Sequence, residues 1–147
     1  MPVCLRPIAT LLLVLFATSM VTAHCEVPCG IYGDKRRFEH MMEDQETIAK
    51  AIAQINELAG THNADRANQL IRWVTTKEAH CTNVQHTMAQ YFLTQRIKSD
   101  QANYTERLTT AHAVMVAAMK CKQAADPETA LALEKAIKAF EAAYNKS

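Results

Sequence analysis

Apolar side chains recur at α-helical spacing in four successive blocks of the chain, and polar residues fill the positions between them. The blocks cover about residues 35–58, 64–98, 101–125 and 126–144. Their apolar positions are Phe38, Met41, Met42, Ile48, Ile52 and Ile55; Leu70, Ile71, Val74, Val84, Met88, Tyr91 and Phe92; Tyr104, Leu108, Ala111, Met115, Ala118 and Met119; and Leu131, Leu133, Ile137, Phe140 and Tyr144. This pattern predicts four amphipathic helices.

Turn and capping residues mark the ends of these blocks. Asp126 can cap the fourth helix and Pro127 suits its first position, while Gly60 follows the last periodic residue of the first block and predicts a stop there. The polar connectors are short, so consecutive helices should pack antiparallel. We therefore predict an all-α fold: an up-down-up-down antiparallel four-helix bundle over residues 35–147, with an extended N-terminal hook over residues 24–34.

Residues 1–23 have the three parts of a secretory signal peptide. Arg6 supplies the positive charge, residues 8–20 form an apolar run that is too short for a comfortable membrane span, and Ala23 is a small residue at the cleavage point. We expect the mature chain, residues 24–147, to be exported to the periplasm or secreted, with no membrane segment. The alternative of a retained membrane anchor is the weaker one.

The composition of the mature part excludes some partners. The precursor has 16 basic and 15 acidic residues, and Arg6 is the one charged residue of the signal, so the mature side chains carry no net charge when histidines are neutral. A neutral chain without a basic block gives no electrostatic footprint for nucleic acid or an anionic membrane. With only three glycines and four prolines, the composition also favours helix over sheet.

The first residues of the mature chain, His24-Cys25-Glu26-Val27-Pro28-Cys29-Gly30-Ile31-Tyr32, form a candidate metal site. Cleavage after Ala23 places a free amine, an imidazole, a backbone amide and two thiolates within six residues. This donor set suits softer square-planar metals such as nickel(II) or copper(II). Pro28 and Gly30 favour a tight turn that brings Cys29 back towards Cys25.

This segment closely resembles the metal hook of the nickel-containing superoxide dismutases, which begin His-Cys-x-x-Pro-Cys-Gly-x-Tyr. The resemblance implies a nickel ion bound by the His24 amine, the Cys25 amide and the thiolates of Cys25 and Cys29, with the His24 imidazole as axial ligand. It also implies conversion of two superoxide ions and two protons to dioxygen and hydrogen peroxide. In this family the peptide bond before the hook proline is cis, and the enzyme is a homohexamer.

The resemblance extends weakly over the rest of the mature chain. Tyr32 falls on the tyrosine that screens the open face of the metal, and Glu39 on a glutamate that holds the histidine imidazole. His80 lies where some members have an arginine that supports the same imidazole. The adjacent Tyr91 and Phe92 also match the family.

Two other functions fit the same residues. A non-catalytic exported protein could carry nickel or copper on this hook, although a carrier does not need Tyr32 and Glu39. Alternatively, Cys25 and Cys29 could form a structural disulfide in a secreted helical bundle.

Two further cysteines, Cys81 and Cys121, lie in the second and third blocks. They are nearly equidistant from the connector near Asp100, so in an antiparallel helix pair they should lie at nearly the same height. The sequence leaves open whether they form a disulfide that links the two helices or remain two separately buried thiols.

Overall fold

The computed structural model of the protein describes residues 33–60 and 63–146, and all regular structure within these ranges is helical. Four α-helices occupy the predicted blocks: α1 (Lys35–Leu58), α2 (Ala64–His86), α3 (Tyr104–Gln123) and α4 (Pro127–Asn145). The prediction of a helical fold is confirmed for the described part of the chain. Residues 1–32, including the predicted signal peptide and most of the predicted hook, lie outside the described residues.

The second block departs from the prediction at its C-terminal end. After His86 the chain continues as a π-helix, Thr87–Arg96, instead of an α-helix. Hydrogen bonds here span five residues: the Ile97 amide donates to the Phe92 carbonyl at 2.9 Å, and the Thr94 hydroxyl to the Ala89 carbonyl at 2.7 Å. Apolar periodicity could not reveal this change, because the wider winding still buries Met88, Tyr91 and Phe92.

The predicted helix ends are confirmed. The Asp126 side chain accepts a hydrogen bond from the Glu128 amide at 3.0 Å, with Pro127 in the first turn of α4. Gly60 lies two residues after the end of α1 and has a φ of +83°, a conformation that glycine adopts without a steric cost.

The core consists of side chains that the four helices and the π-helix direct inward. Its largest fully buried members are Phe92, Phe140, Met41, Ile48, Ile52, Met88, Leu133 and Ile137. Within residues 33–60 and 63–146, two polar residues are also buried. Gln45 is 4% exposed and donates to the Ala130 carbonyl at 3.0 Å, and Lys77 is also 4% exposed.

Some residues of the predicted apolar stripes lie on the surface of the single chain. Ile71 is 65% exposed, Val74 39%, Met119 40% and Leu131 44%. The face of α2 that enters the core begins only in the second half of the helix, where it carries the long side chain of Lys77 and the small Cys81. The apolar pattern of the second block therefore predicted helix α2 correctly, but it did not predict which of its side chains enter the core.

Hydrogen bonds between side chains and backbone connect neighbouring helices. Asn56 of α1 donates to the Ala125 carbonyl before α4 at 2.8 Å. Gln85 of α2 donates to the Met115 carbonyl of α3 at 3.2 Å. Among the described residues, no helix is both long enough and apolar enough to span a membrane.

Candidate metal centre

The described chain begins at the base of the predicted hook. His24, Cys25, Cys29 and Tyr32 lie outside the described residues, so their assignment as metal ligands and screening residue stays a prediction. Gly33 has a φ of +78°, and Asp34 follows it immediately before α1. Asp34 is thus the residue at which the predicted hook joins the bundle.

Asp34 is the centre of a hydrogen-bond network, here called the Asp34 cluster, formed with Tyr91, Arg96 and Tyr144. Its Oδ1 accepts from the Tyr91 hydroxyl at 2.5 Å. Its Oδ2 accepts from the Tyr144 hydroxyl at 2.6 Å and from Arg96 Nη2 at 2.7 Å. One carboxylate thus connects the start of α1 to the π-helix and to the end of α4.

The π-helix explains how two of these donors reach one carboxylate. Tyr91 and Arg96 are five residues apart, which in an α-helix would direct their side chains about 140° from each other around the axis. Bonding from i to i+5 brings residues at this spacing closer to one face. The π-helical winding therefore allows Tyr91 and Arg96 to donate to the same carboxylate, that of Asp34.

The electrostatics of the Asp34 cluster favour an ionised carboxylate. Burial opposes ionisation of Asp34, but the hydrogen bonds from Arg96, Tyr144 and Tyr91 outweigh it and lower its pKa. Burial, together with the hydrogen bond to Asp34, raises the pKa of Tyr91 to about 12. Both effects keep the aspartate charged and the tyrosine a donor near neutral pH.

A group of aromatic rings packs in the core next to the Asp34 cluster. Phe92 lies with its ring centroid 4.8 Å from Phe38, 4.9 Å from Phe140 and 5.3 Å from Tyr144. Phe38 is in the first turns of α1 and Tyr144 is at the end of α4. The rings fix the positions of the elements that meet at Asp34, since aromatic pairs at these separations stabilise one another.

Glu39 and His80, the two predicted imidazole partners, lie in different surroundings. Glu39 is exposed and forms an ion pair with Lys35, one helical turn earlier, at 3.5 Å. His80 is half-buried, and its Nδ1 lies 2.6 Å from Asp44 Oδ1. The predicted partner of both, His24, is outside the described residues, so neither role is tested.

His80 also lines an open cleft between α1 and α2 with a volume of about 510 Å³. His40, Glu43, Asp44 and His86 contribute to its walls. Among the residues that the structure describes, however, no three histidine, cysteine, aspartate or glutamate side chains are placed to bind a metal ion together.

The predicted donors of the hook fit nickel by their chemistry. Thiolates are soft ligands, and nickel(II) accepts square-planar sets of nitrogen and sulfur. The α-amine also loses its proton much more readily than a lysine. All these donors lie within six residues of one another in the sequence, so one short segment supplies the whole predicted ligand set.

Sequence reasoning missed Asp34, Arg96 and the polar role of Tyr144. Asp34 had a local signal, because it is an acidic residue directly between the hook and the first helix. Arg96 and Tyr144 had none, since they are 62 and 110 residues away from Asp34 in the sequence.

Comparison with known proteins identifies the family. The family model of the nickel-containing superoxide dismutases matches residues 19–147, which is most of the chain. No curated protein and no solved structure matches it. The chain belongs to the nickel-containing superoxide dismutase family. It is an oxidoreductase that uses nickel and acts on superoxide.

Proposed function

We propose that this superoxide dismutase begins, in its mature form, at His24, and that His24, Cys25 and Cys29 hold its nickel ion. One observation carries the proposal: every fixed position of the family's hook is present between His24 and Tyr32, inside the range that the family model matches. The His24 amine and imidazole, the Cys25 amide and the thiolates of Cys25 and Cys29 would hold the ion.

Each residue of the hook has a separate role in this proposal. Nickel bound there supplies a centre that alternates between two oxidation states, so that it accepts an electron from one superoxide ion and returns it to another. The anionic amide and thiolates of Cys25 and Cys29 make the higher oxidation state accessible. Tyr32 screens the open face. Glu39, which is exposed and ion-paired with Lys35 at 3.5 Å, orients the His24 imidazole.

The Asp34 cluster fixes the base of the hook. Its three hydrogen bonds originate from the π-helix and α4, so the chain direction at residue 34 is set by distant parts of the bundle. Only a few residues separate Asp34 from the second thiolate ligand, Cys29. The bundle thereby limits the positions that the hook can reach, which is a means of preorganising a metal site.

The proposal includes removal of residues 1–23 and export of the protein. The support is the signal-like order of charge, apolar run and small residue, together with the need for a free amine at His24. While Ala23 is attached, the His24 nitrogen is an amide and cannot serve as an amine donor.

We also propose the up-down-up-down bundle topology and a homohexamer. Gln45 pairs with Ala130 and Asn56 with Ala125, so position increases along α1 as it decreases along α4. This supports antiparallel packing. The hexamer rests on the family resemblance, and the exposure of apolar side chains such as Ile71 agrees with a surface that associates.

The test combines three measurements on the purified mature protein with an assay of its dismutase activity. N-terminal sequencing should give His24 as the first residue, metal analysis should give one nickel per chain, and light scattering should give six chains per particle. A nickel-loaded protein without dismutase activity would instead support the carrier function, and a disulfide between Cys25 and Cys29 with no bound metal would support the structural one.

A further inference from the structure

We propose that Cys81 and Cys121 form a dithiol that hydrogen peroxide, the product of superoxide dismutation, oxidises to a disulfide between α2 and α3. The oxidant is the one element that rests on the activity of the family. The site is separate from the hook and from the Asp34 cluster.

The two thiols meet in the core between α2 and α3. Cys81 and Cys121 are each completely buried, and both are free thiols. Lys77, one helical turn before Cys81 in α2, donates to the Cys121 carbonyl of α3 at 2.6 Å, so the two cysteines lie on the facing sides of neighbouring helices. This contact agrees with the expectation that the cysteines lie at a similar height, and a bond between them would join two helices that already pack together.

A buried cation accompanies the thiols. Lys77 lies one helical turn before Cys81, and its Nζ donates to the carbonyls of Cys121 at 2.6 Å and Lys122 at 2.7 Å. It also contacts Glu78 at 3.1 Å. The C-terminal end of a helix disfavours negative charge, and the ammonium group offsets this effect for an anion on Cys121.

The surroundings make the two thiols unequal. The hydrogen bond from Cys81, together with Thr129 and the charge of Lys77, lowers the pKa of Cys121 against the opposing effect of burial. The hydrogen bond to Cys121, followed by burial, raises the pKa of Cys81. Because the Lys77 ammonium also lies 2.6 Å from the Cys121 carbonyl, we assign Cys121 as the attacking thiolate and Cys81 as the proton donor that later resolves the intermediate.

The reaction is balanced with one peroxide molecule. The Cys121 thiolate attacks one peroxide oxygen, the O–O bond breaks, and the departing hydroxide takes the Cys81 proton to leave as water. The Cys81 thiolate then attacks the sulfenic sulfur of Cys121, the S–O bond breaks, and the second hydroxide takes a proton from solvent. Two thiols lose two electrons, and peroxide is reduced to two waters.

Because both thiols are completely buried, the proposal requires local opening at the end of α3 to admit peroxide. Cys121 lies in the last turn of this helix, two residues before its final residue, Gln123. Helix ends open locally at a lower free energy than the core does, and peroxide is small and uncharged. The carbonyls held by Lys77 belong to the same turn.

The test uses the mature chain with Cys25→Ser and Cys29→Ser, which leaves Cys81 and Cys121 as its remaining cysteines and removes the nickel ligands. The folded, reduced protein is exposed to added peroxide, unfolded in acid, alkylated and weighed by mass spectrometry. We expect a product that is lighter by two hydrogen atoms and takes no alkyl label. Two alkylated cysteines after prolonged exposure would overturn the proposal.

Single variants in the same background test the assigned roles. With Cys81→Ser, the new hydroxyl can still donate to Cys121, so peroxide should give a sulfenic acid that a diketone probe labels. With Cys121→Ser, Cys81 should react at least ten times more slowly. Equal rates would contradict the assignment of Cys121 as the attacking thiolate.

The charge of Lys77 is tested in the chain that keeps both thiols. Lys77→Met should slow disulfide formation several-fold, while Lys77→Arg, which keeps the charge, should slow it less. Circular dichroism shows whether Lys77→Met folds. If it does not, the rate of disulfide formation is compared between Lys77→Arg and the protein with Lys77. An unchanged rate in a folded Lys77→Met protein would show that the ammonium group does not assist the reaction.

Discussion

Replacement of Asp34 by asparagine tests whether the Asp34 cluster anchors the hook. Asparagine has nearly the same shape, but it carries no charge and offers one acceptor oxygen where the carboxylate has two. Oδ2 of Asp34 accepts from both Tyr144 and Arg96, so the variant leaves the guanidinium without its anionic partner. The change therefore removes the ion pair while the packing of the rings below it is retained.

The expected loss of stability follows from burial and from the number of bonds. A hydrogen bond to a charged group contributes about 1.5–3 kcal/mol. The Asp34 side chain is 19% exposed, but that of Arg96 is 38% exposed, so solvent screens part of the pair. We expect the free energy of unfolding to fall by about 2 kcal/mol, and the Tm by roughly 6–10 °C for a domain of this size.

The melting temperature should be measured on metal-free protein, because bound nickel would itself stabilise the folded state. Asp100→Asn provides the matched control, since Asp100 is exposed on the connector before α3, and it should melt within about 1 °C of the unmodified protein. A chelator competition then measures nickel release, which should be faster in Asp34→Asn. An Asp34→Asn protein that melts like the control would refute the reasoning.

The dependence on pH gives an independent check. Because the folded-state pKa of Asp34 is lowered, its contribution to stability is complete above the unfolded aspartate value of about 3.9 and is lost as the pH falls through the folded value. The difference in stability between the unmodified protein and Asp34→Asn should be constant near neutral pH and shrink in strong acid. A difference that grows on acidification would contradict the assignment of an ionised carboxylate.

Four further predictions concern the hook and the core. Cys25→Ser and Cys29→Ser should each abolish dismutase activity, because each removes an anionic donor, and normal turnover in either would contradict the ligand set. His24→Gln should retain nickel in metal analysis but lose most of its turnover, since the amine, the amide and both thiolates remain. A precursor that keeps residues 1–23 should be inactive, and full activity would exclude the terminal amine as a ligand. Phe92→Ala should lower the free energy of unfolding by about 3–5 kcal/mol in urea denaturation, because a fully buried ring is lost; a cost under about 1 kcal/mol would show that its neighbours close the cavity.

The helices could be predicted because their signals are local. Apolar spacing, the Asp126 cap and Gly60 each involve residues within a few positions of one another, and the structure confirms the helix ends that they indicated. The exposure of Ile71 could not be predicted in this way, because periodicity identifies an apolar face but not what covers it. The burial of Lys77 depends on carbonyls at the end of another helix, which no pattern around residue 77 reveals.

The same distinction between local signals and contacts of distant residues applies to the proposed metal site. The hook resembles its family because all of its donors lie in one short segment, so their chemistry can be read directly from the sequence. The residues that hold the base of this segment come from three places separated by up to 110 positions, and they meet only after the bundle has formed.

The contribution of residues distant from the hook to nickel binding has an energetic reason. Fixing the backbone of a segment in one conformation costs about 1–2 kcal/mol per residue, and in the proposed site this cost offsets part of the free energy of nickel binding. The Asp34 carboxylate fixes residue 34, where the proposed hook would join the bundle, and the π-helix allows Tyr91 and Arg96 to bind this carboxylate together. The affinity for nickel should therefore depend on residues that never touch the metal, and loss of the anchor should weaken binding even when all the donors of the hook are unchanged.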